Sequence, residues 1–164
     1  MTSQENLEFI TVETGADPTA AVIWLHGLGA DGHDFEAIVP ELDLAGAPPI
    51  RFIFPHAPMR SVTINHGMVM RAWYDILELN IDRKIDHEGL EESAALIGRL
   101  IADQISAGIP ADRIILAGFS QGGAMTYHVG LPHDPPLGGL MVLSARSEEH
   151  TSELQSHSDL VCRL

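Results

Sequence analysis

Cysteine is nearly absent. Cys162 is the only one in 164 residues, so no intramolecular disulfide can form and no cysteine-based zinc site can be built. Basic residues are also scarce: nine Lys and Arg face 23 Asp and Glu, a formal charge of −14. Such a surface repels phosphate backbones, which argues against nucleic acid and against anionic membranes as partners. No apolar run approaches the ~20 residues that a membrane span requires, so no stable membrane insertion is expected. The opening MTSQENLEFITVETG carries acids and no basic region. It predicts no secretory signal and a cytoplasmic location. What remains is a chain that is 45% hydrophobic and 20% charged, the composition of a globular protein. Its length suits one domain with one core.

Apolar runs and turn signals alternate in the manner of an α/β protein. Leu7–Val12 reads as a first strand. Ala20–Leu25 (AAVIWL) is a continuous apolar run, as a strand buried on both faces of a parallel sheet should be, Ile50–Phe54 reads as the next strand, and Arg113–Gly118 and Leu137–Ser144 read as a third and a fourth buried strand. Phe35–Leu42 and Gln121–Val129 read as helices. Leu90–Ala107 has apolar residues at helical spacing, and Gly108 stands where a left-handed cap belongs. Val62–Ile64 and Met68–Met70 could pair as a small hairpin. The expectation is a mostly parallel sheet with helices on both faces.

Two motifs carry chemistry. Gly118-Phe119-Ser120-Gln121-Gly122 is a G-x-S-x-G that follows a buried strand and opens a helix. That is the context of a nucleophile elbow, where side chains two residues either side of the serine would collide. The turn places Ser120 Oγ at a helix N-terminus, whose free N–H groups favour negative charge. The plainer reading is a glycine-rich turn with a capping serine.

The second motif is His26-Gly27-Leu28-Gly29-Ala30-Asp31-Gly32, directly after an early strand. Acyl transfer needs two N–H donors aimed at a developing oxyanion. Leu28 and Gln121 are the candidates, one from this loop and one from the residue after the serine. Gly27, Gly29 and Gly32 also spell a dinucleotide-binding fingerprint. That reading fails because Asp31 and Asp34 would face a pyrophosphate, and because the next strand ends in Phe54-Pro55 rather than in an acid. No cofactor is expected. His33, His56, His66, His87 and His133 lack metal-ligand spacing, so no metal is expected either. His26 is assigned to bracing the loop.

LHGLGADGHDF (Leu25–Phe35), PHAPMRSVTINHGMVMRAWYD (Pro55–Asp75) and GFSQGG (Gly118–Gly123) together resemble the carboxylesterase and acyl-protein thioesterase family of α/β-hydrolases. The resemblance covers roughly Leu7 to Ala145. It implies an α/β-hydrolase fold and a serine acyl-enzyme route. It also implies small-molecule ester or acyl-thioester substrates: short or medium acyl esters, lysophospholipids or acyl-proteins. By position it makes Ser120 the nucleophile, Leu28 and Gln121 the oxyanion hole, and Trp73 a wall of the acyl pocket; core packing is the equal alternative for Trp73.

The family's Asp and His follow well downstream of the serine, and no satisfactory pair is found here. Asp134 precedes a strand, at the wrong edge of the sheet. His128 lies eight residues along the helix from Ser120, roughly 12 Å away. His150 falls in a tail unlike the rest. In that tail, RSEEHTSELQS and LVCRL read as the translation of a sequencing adapter. Residues 1–145 are therefore expected to be an α/β-hydrolase domain lacking its last strands, and 146–164 a non-native tail. A chain of this kind is expected to turn over esters poorly and to aggregate through a bare sheet edge. The competing reading is a non-catalytic α/β-hydrolase-like binding module.

Overall fold

The structure is a computed structural model that describes residues 6–78, 84 and 86–145. The tail from Arg146, with His150 and Cys162, lies outside the described residues.

Among the described residues, seven strands and two α-helices are formed in the order β1 (Phe9–Glu13), β2 (Ala20–Leu25), β3 (Ile50–Pro55), β4 (Met59–Val62), β5 (Met68–Arg71), α1 (His87–Ser106), β6 (Ile114–Phe119), α2 (Gln121–Gly130) and β7 (Gly139–Leu143). The main sheet has the order β1-β3-β2-β6-β7. β1 joins β3 antiparallel at one edge; the other pairings are parallel. The mostly parallel α/β fold expected from the run of apolar strands is the one found.

Side-chain alternation along the central strands builds two cores. Ala21, Ile23 and Leu25 of β2 point into a cluster with Leu96, Ile97, Leu100 and Ile101 of α1 and Ala124 and Met125 of α2. Val22 and Trp24 point the other way, into a cluster with Val39, Phe52, Phe54 and Ala117. Each fully buried Leu or Ile contributes about 1.5–3 kcal/mol relative to exposure, so the sheet is the part of the chain most firmly fixed.

The two faces are not covered alike. Both α-helices pack on the first. Among the described residues the second carries only a 3₁₀-helix, Glu36–Glu41, where sequence periodicity suggested a longer helix over Phe35–Leu42. Pro40 lies inside it and has no N–H to donate, so a regular α-ladder cannot run through. The hairpin also differs in detail. It is made by β4 and β5, with Met59 opposite Arg71 and Val62 opposite Met68, and Thr63–Asn65 form part of the turn. The α1 helix begins three residues before the first periodic apolar residue, because Asp86 caps it by accepting from Gly89 N–H. Gly108 has φ of +102° just past its end, as a left-handed cap requires.

Candidate active site

β2 and β6 lie side by side with Leu25 opposite Gly118. Their carboxyl ends therefore release the glycine loop and the serine turn at the same level. Leu28 and Gln121 each lie three residues beyond that register pair. This is where an open α/β sheet gathers its functional groups.

Ser120 sits between β6 and α2 with φ 54° and ψ −115°, a backbone region that L side chains rarely enter. Its N–H donates to Leu143 O at 2.8 Å, which ties the turn to β7. The flanking glycines are required by contact. A Cβ on Gly118 would strike the Gly122 carbonyl, and a Cβ on Gly122 would strike the carbonyls of Leu25 and His26. The collision expected across the serine is thus real, and it involves backbone that cannot step aside. No side-chain hydrogen bond caps α2, so the plainer reading of Ser120 as a capping serine finds no support.

The glycine loop is held from several sides. Gly29, with φ +75°, donates its N–H to Arg71 O at 2.9 Å. A Cβ on Gly27 would lie 3.2 Å from the Phe119 ring, and one on Gly32 would collide with Phe54 O. All three glycines of the apparent dinucleotide fingerprint thus have packing or backbone duties. Gln121 is the first residue of α2, so its N–H has no acceptor within the helix, and among the described residues the Leu28 N–H makes no turn or loop backbone hydrogen bond. Two unpaired donors at neighbouring strand ends are what an oxyanion would require.

His26 is buried and neutral. Its Nδ1 donates to Gly27 O at 2.7 Å, and its Nε2 accepts from Ala57 N–H at 3.0 Å. Burial pushes its pKa below the ordinary 6.5, against the opposing pull of the Gly27 carbonyl and of Asp31. With both ring nitrogens engaged, His26 braces the loop as expected and is not available as a base for Ser120. His33 is raised instead, because it bonds Glu36 at the surface.

Trp73 is completely buried in the helix-side core. Its indole N–H donates to His26 O at 2.9 Å, and its carbonyl accepts from Ser93 Oγ. Its backbone N–H donates to Gln121 Oε1 at 2.8 Å, while Gln121 Nε2 donates to Tyr74 O at 2.7 Å. The Gln121 side chain therefore clamps the Trp73-Tyr74 segment to the elbow. Sequence reasoning assigned Gln121 only a backbone role; the clamp spans 48 residues of sequence, and no local signal carries it.

Of the downstream candidates, His128 and Asp134 lie among the described residues. His128 Nε2 bonds Glu91 Oε1 at 2.9 Å and links α2 to α1. Asp134 precedes β7 and so lies at the amino end of the parallel strands. Among the described residues no hydrogen bond reaches Ser120 Oγ from a histidine, and no cluster of three or more His, Cys, Asp or Glu is placed to hold a metal ion. No helix among them is long and apolar enough to cross a membrane.

Comparison with known proteins bears on the family and the fold. A family model described as Phospholipase/Carboxylesterase matches residues 7–162. Acyl-protein thioesterase 1 of Yarrowia lipolytica is 41% identical over 137 residues, covering 82% of this chain and 60% of that protein. Acyl-protein thioesterase 1 of Neurospora crassa is 40% identical over 147 residues, covering 83% and 58%. Among solved structures, Arabidopsis thaliana SOBER1 superposes with a TM-score of 0.70 at 34% identity, over 77% of this chain and 61% of that one. Zea mays acyl-protein thioesterase 2 gives 0.71 at 29% identity, over 84% and 62%. The chain thus spans about 60% of the length of the relatives it matches.

Proposed function

Because the chain belongs to the phospholipase/carboxylesterase family, we propose that it carries the nucleophile and oxyanion half of a serine hydrolase acting on carboxylic esters or acyl-thioesters. One observation carries the reading: Ser120 is held at a positive φ between a buried strand and a helix, with glycines where no side chain fits. Strain of this kind costs on the order of 1–3 kcal/mol and persists where surrounding structure over-determines it.

Ser120 Oγ would attack the acyl carbonyl carbon while its proton passes to a base. The C–O or C–S bond to the leaving group would break, and the alcohol or thiol would depart with a proton. Water would then release the acid by the reverse route. The Leu28 and Gln121 N–H groups would hold the negative oxygen, a contribution of about 3–4 kcal/mol for a single donor in comparable sites. Gln121 would do so on a backbone fixed by its own side chain. No described residue supplies the base, so turnover by this chain should be slow.

The test is p-nitrophenyl acetate with added imidazole as an external base. The expected result is a slow release of nitrophenolate, above the background of ester and imidazole without protein, that imidazole accelerates and that Ser120→Ala reduces to that background. Rapid Ser120-dependent turnover without imidazole would reveal a base in the residues outside the description. No difference from Ser120→Ala under either condition would favour a binding module.

A further inference from the structure

The two segments that leave β2 and β3 are joined by a reciprocal exchange. His26, at the end of β2, accepts the N–H of Ala57 on Nε2 at 3.0 Å. His56, at the end of β3, accepts the N–H of Gly32 on Nδ1 at 3.0 Å. Each segment's imidazole therefore takes the other segment's backbone N–H. The two acceptor bonds bracket the glycine loop, His26 at its start and Gly32 near its end, with Leu28 between them. The His56 side of the exchange has its own anchor, since His56 N–H donates to Glu8 O at 2.8 Å and Ala57 O accepts from Arg71 Nη1 at 3.1 Å.

We propose that His56 is a positioning residue for the oxyanion loop: by accepting Gly32 N–H it completes a two-histidine clasp that fixes the Leu28 N–H. The inference rests on Leu28 being an oxyanion donor, as proposed above.

The clasp dictates the hydrogen on each ring. Gly27 O can only accept, so His26 carries its hydrogen on Nδ1 and leaves Nε2 free for Ala57. His56 accepts on Nδ1, so its neutral ring carries hydrogen on Nε2. The two histidines must therefore hold opposite tautomers. A proton added to either ring removes an acceptor and opens one side of the clasp. The charged and titratable groups facing the pair are Asp31, His33, Asp34 and Arg71, together with each other's ring; Glu36 is bonded to His33.

The experiment uses the full chain, labelled with nitrogen-15. Long-range ring correlations at neutral pH should show His26 protonated on Nδ1 and His56 on Nε2. In His56→Ala the backbone amide signals of Gly32 and Leu28 should move, and acylation of Ser120 by p-nitrophenyl acetate in the presence of imidazole should slow about ten-fold. His56→Asn, whose side-chain oxygen stands near the Nδ1 position, should restore both; His56→Gln, one bond longer, should not. Asparagine and glutamine keep the site polar, so the contrast survives if the alanine variant fails to fold. Matching tautomers, an unmoved Leu28 amide in His56→Ala, or equal behaviour of Asn and Gln would overturn the proposal. Opposite tautomers and a displaced Leu28 amide beside an unreactive Ser120 would leave the clasp standing and remove the hydrolase reading alone.

Discussion

β2 and β6 run in register, with Leu25 opposite Gly118, yet the turns that follow them are held by different means. The serine turn after β6 is fixed by volume. Backbone atoms fill the space where side chains on Gly118 and Gly122 would stand, and Ser120 accepts a strained dihedral as a result. The loop after β2 has one such contact, Gly32 against Phe54 O, and is otherwise fixed by hydrogen bonds: Gly29 N–H to Arg71 O, Gly32 N–H to His56 Nδ1, and Ala57 N–H to His26 Nε2. A turn held by volume should tolerate no added atom and ignore pH. A loop held in part by the buried neutral imidazole of His26 should respond to acid. The two kinds of support also meet, because Gly122 packs on the carbonyls of Leu25 and His26.

The largest expected effect tests the first half of that contrast. Gly122→Ala should destabilise the protein by about 3 kcal/mol or more, since the new methyl meets two carbonyls of β2 and its exit rather than a movable side chain. Gly98→Ala is the control: nothing lies near a Cβ at that position in α1, and alanine should add about 1 kcal/mol of helix stability. Urea unfolding of both variants would measure the difference. A Gly122→Ala loss as small as that of an average surface change would mean that the elbow is held by something other than contact.

A smaller effect, of opposite sign, is expected at the serine. Ser120→Gly should raise stability by about 1 kcal/mol, because glycine occupies φ 54° and ψ −115° without a Cβ penalty. The same substitution should abolish acylation. Stability gained where reactivity is lost would identify the strain as belonging to the site. A Ser120→Gly variant no more stable than Ser120→Ala would place the strain elsewhere.

The frame of this molecule was legible in the sequence because it depends on local pattern. AAVIWL is apolar at every position, and β2 occupies Ala20–Leu25, as read. The elbow was legible because its glycines are close in sequence and its context is strand then helix. Where pattern competes with a single residue, the reading slips. Pro40 turned an expected helix into a 3₁₀ segment, and Asp86 moved the start of α1 to His87. The supports of the site were the least legible. His56 to Gly32 spans 24 residues and Gln121 to Trp73 spans 48. Such pairings exist only once the sheet has brought β2, β3 and β6 together. Histidines without ligand spacing look idle in a sequence, and His56 was read that way.

The smallest effect tests the second half of the contrast, through His26. Burial holds its pKa below the 6.5 of a free histidine, so the folded protein binds this proton less readily than the unfolded chain does. Above 6.5 both states are neutral at this position and its contribution to stability is complete. As pH falls below 6.5 the unfolded chain takes up the proton first, and stability declines until the native ring is protonated too. The decline from one buried ring should be gradual. Two measurements together would isolate it. The ring signals of His26 should keep their neutral positions as pH passes downward through 6.5. The acid-side loss of stability should be shallower in His26→Gln, whose side-chain oxygen can accept from Ala57 but cannot take up the proton. A His26 that titrates at 6.5 in the folded protein would show that the loop is open to water, and the contrast between the two turns would then lie in geometry alone.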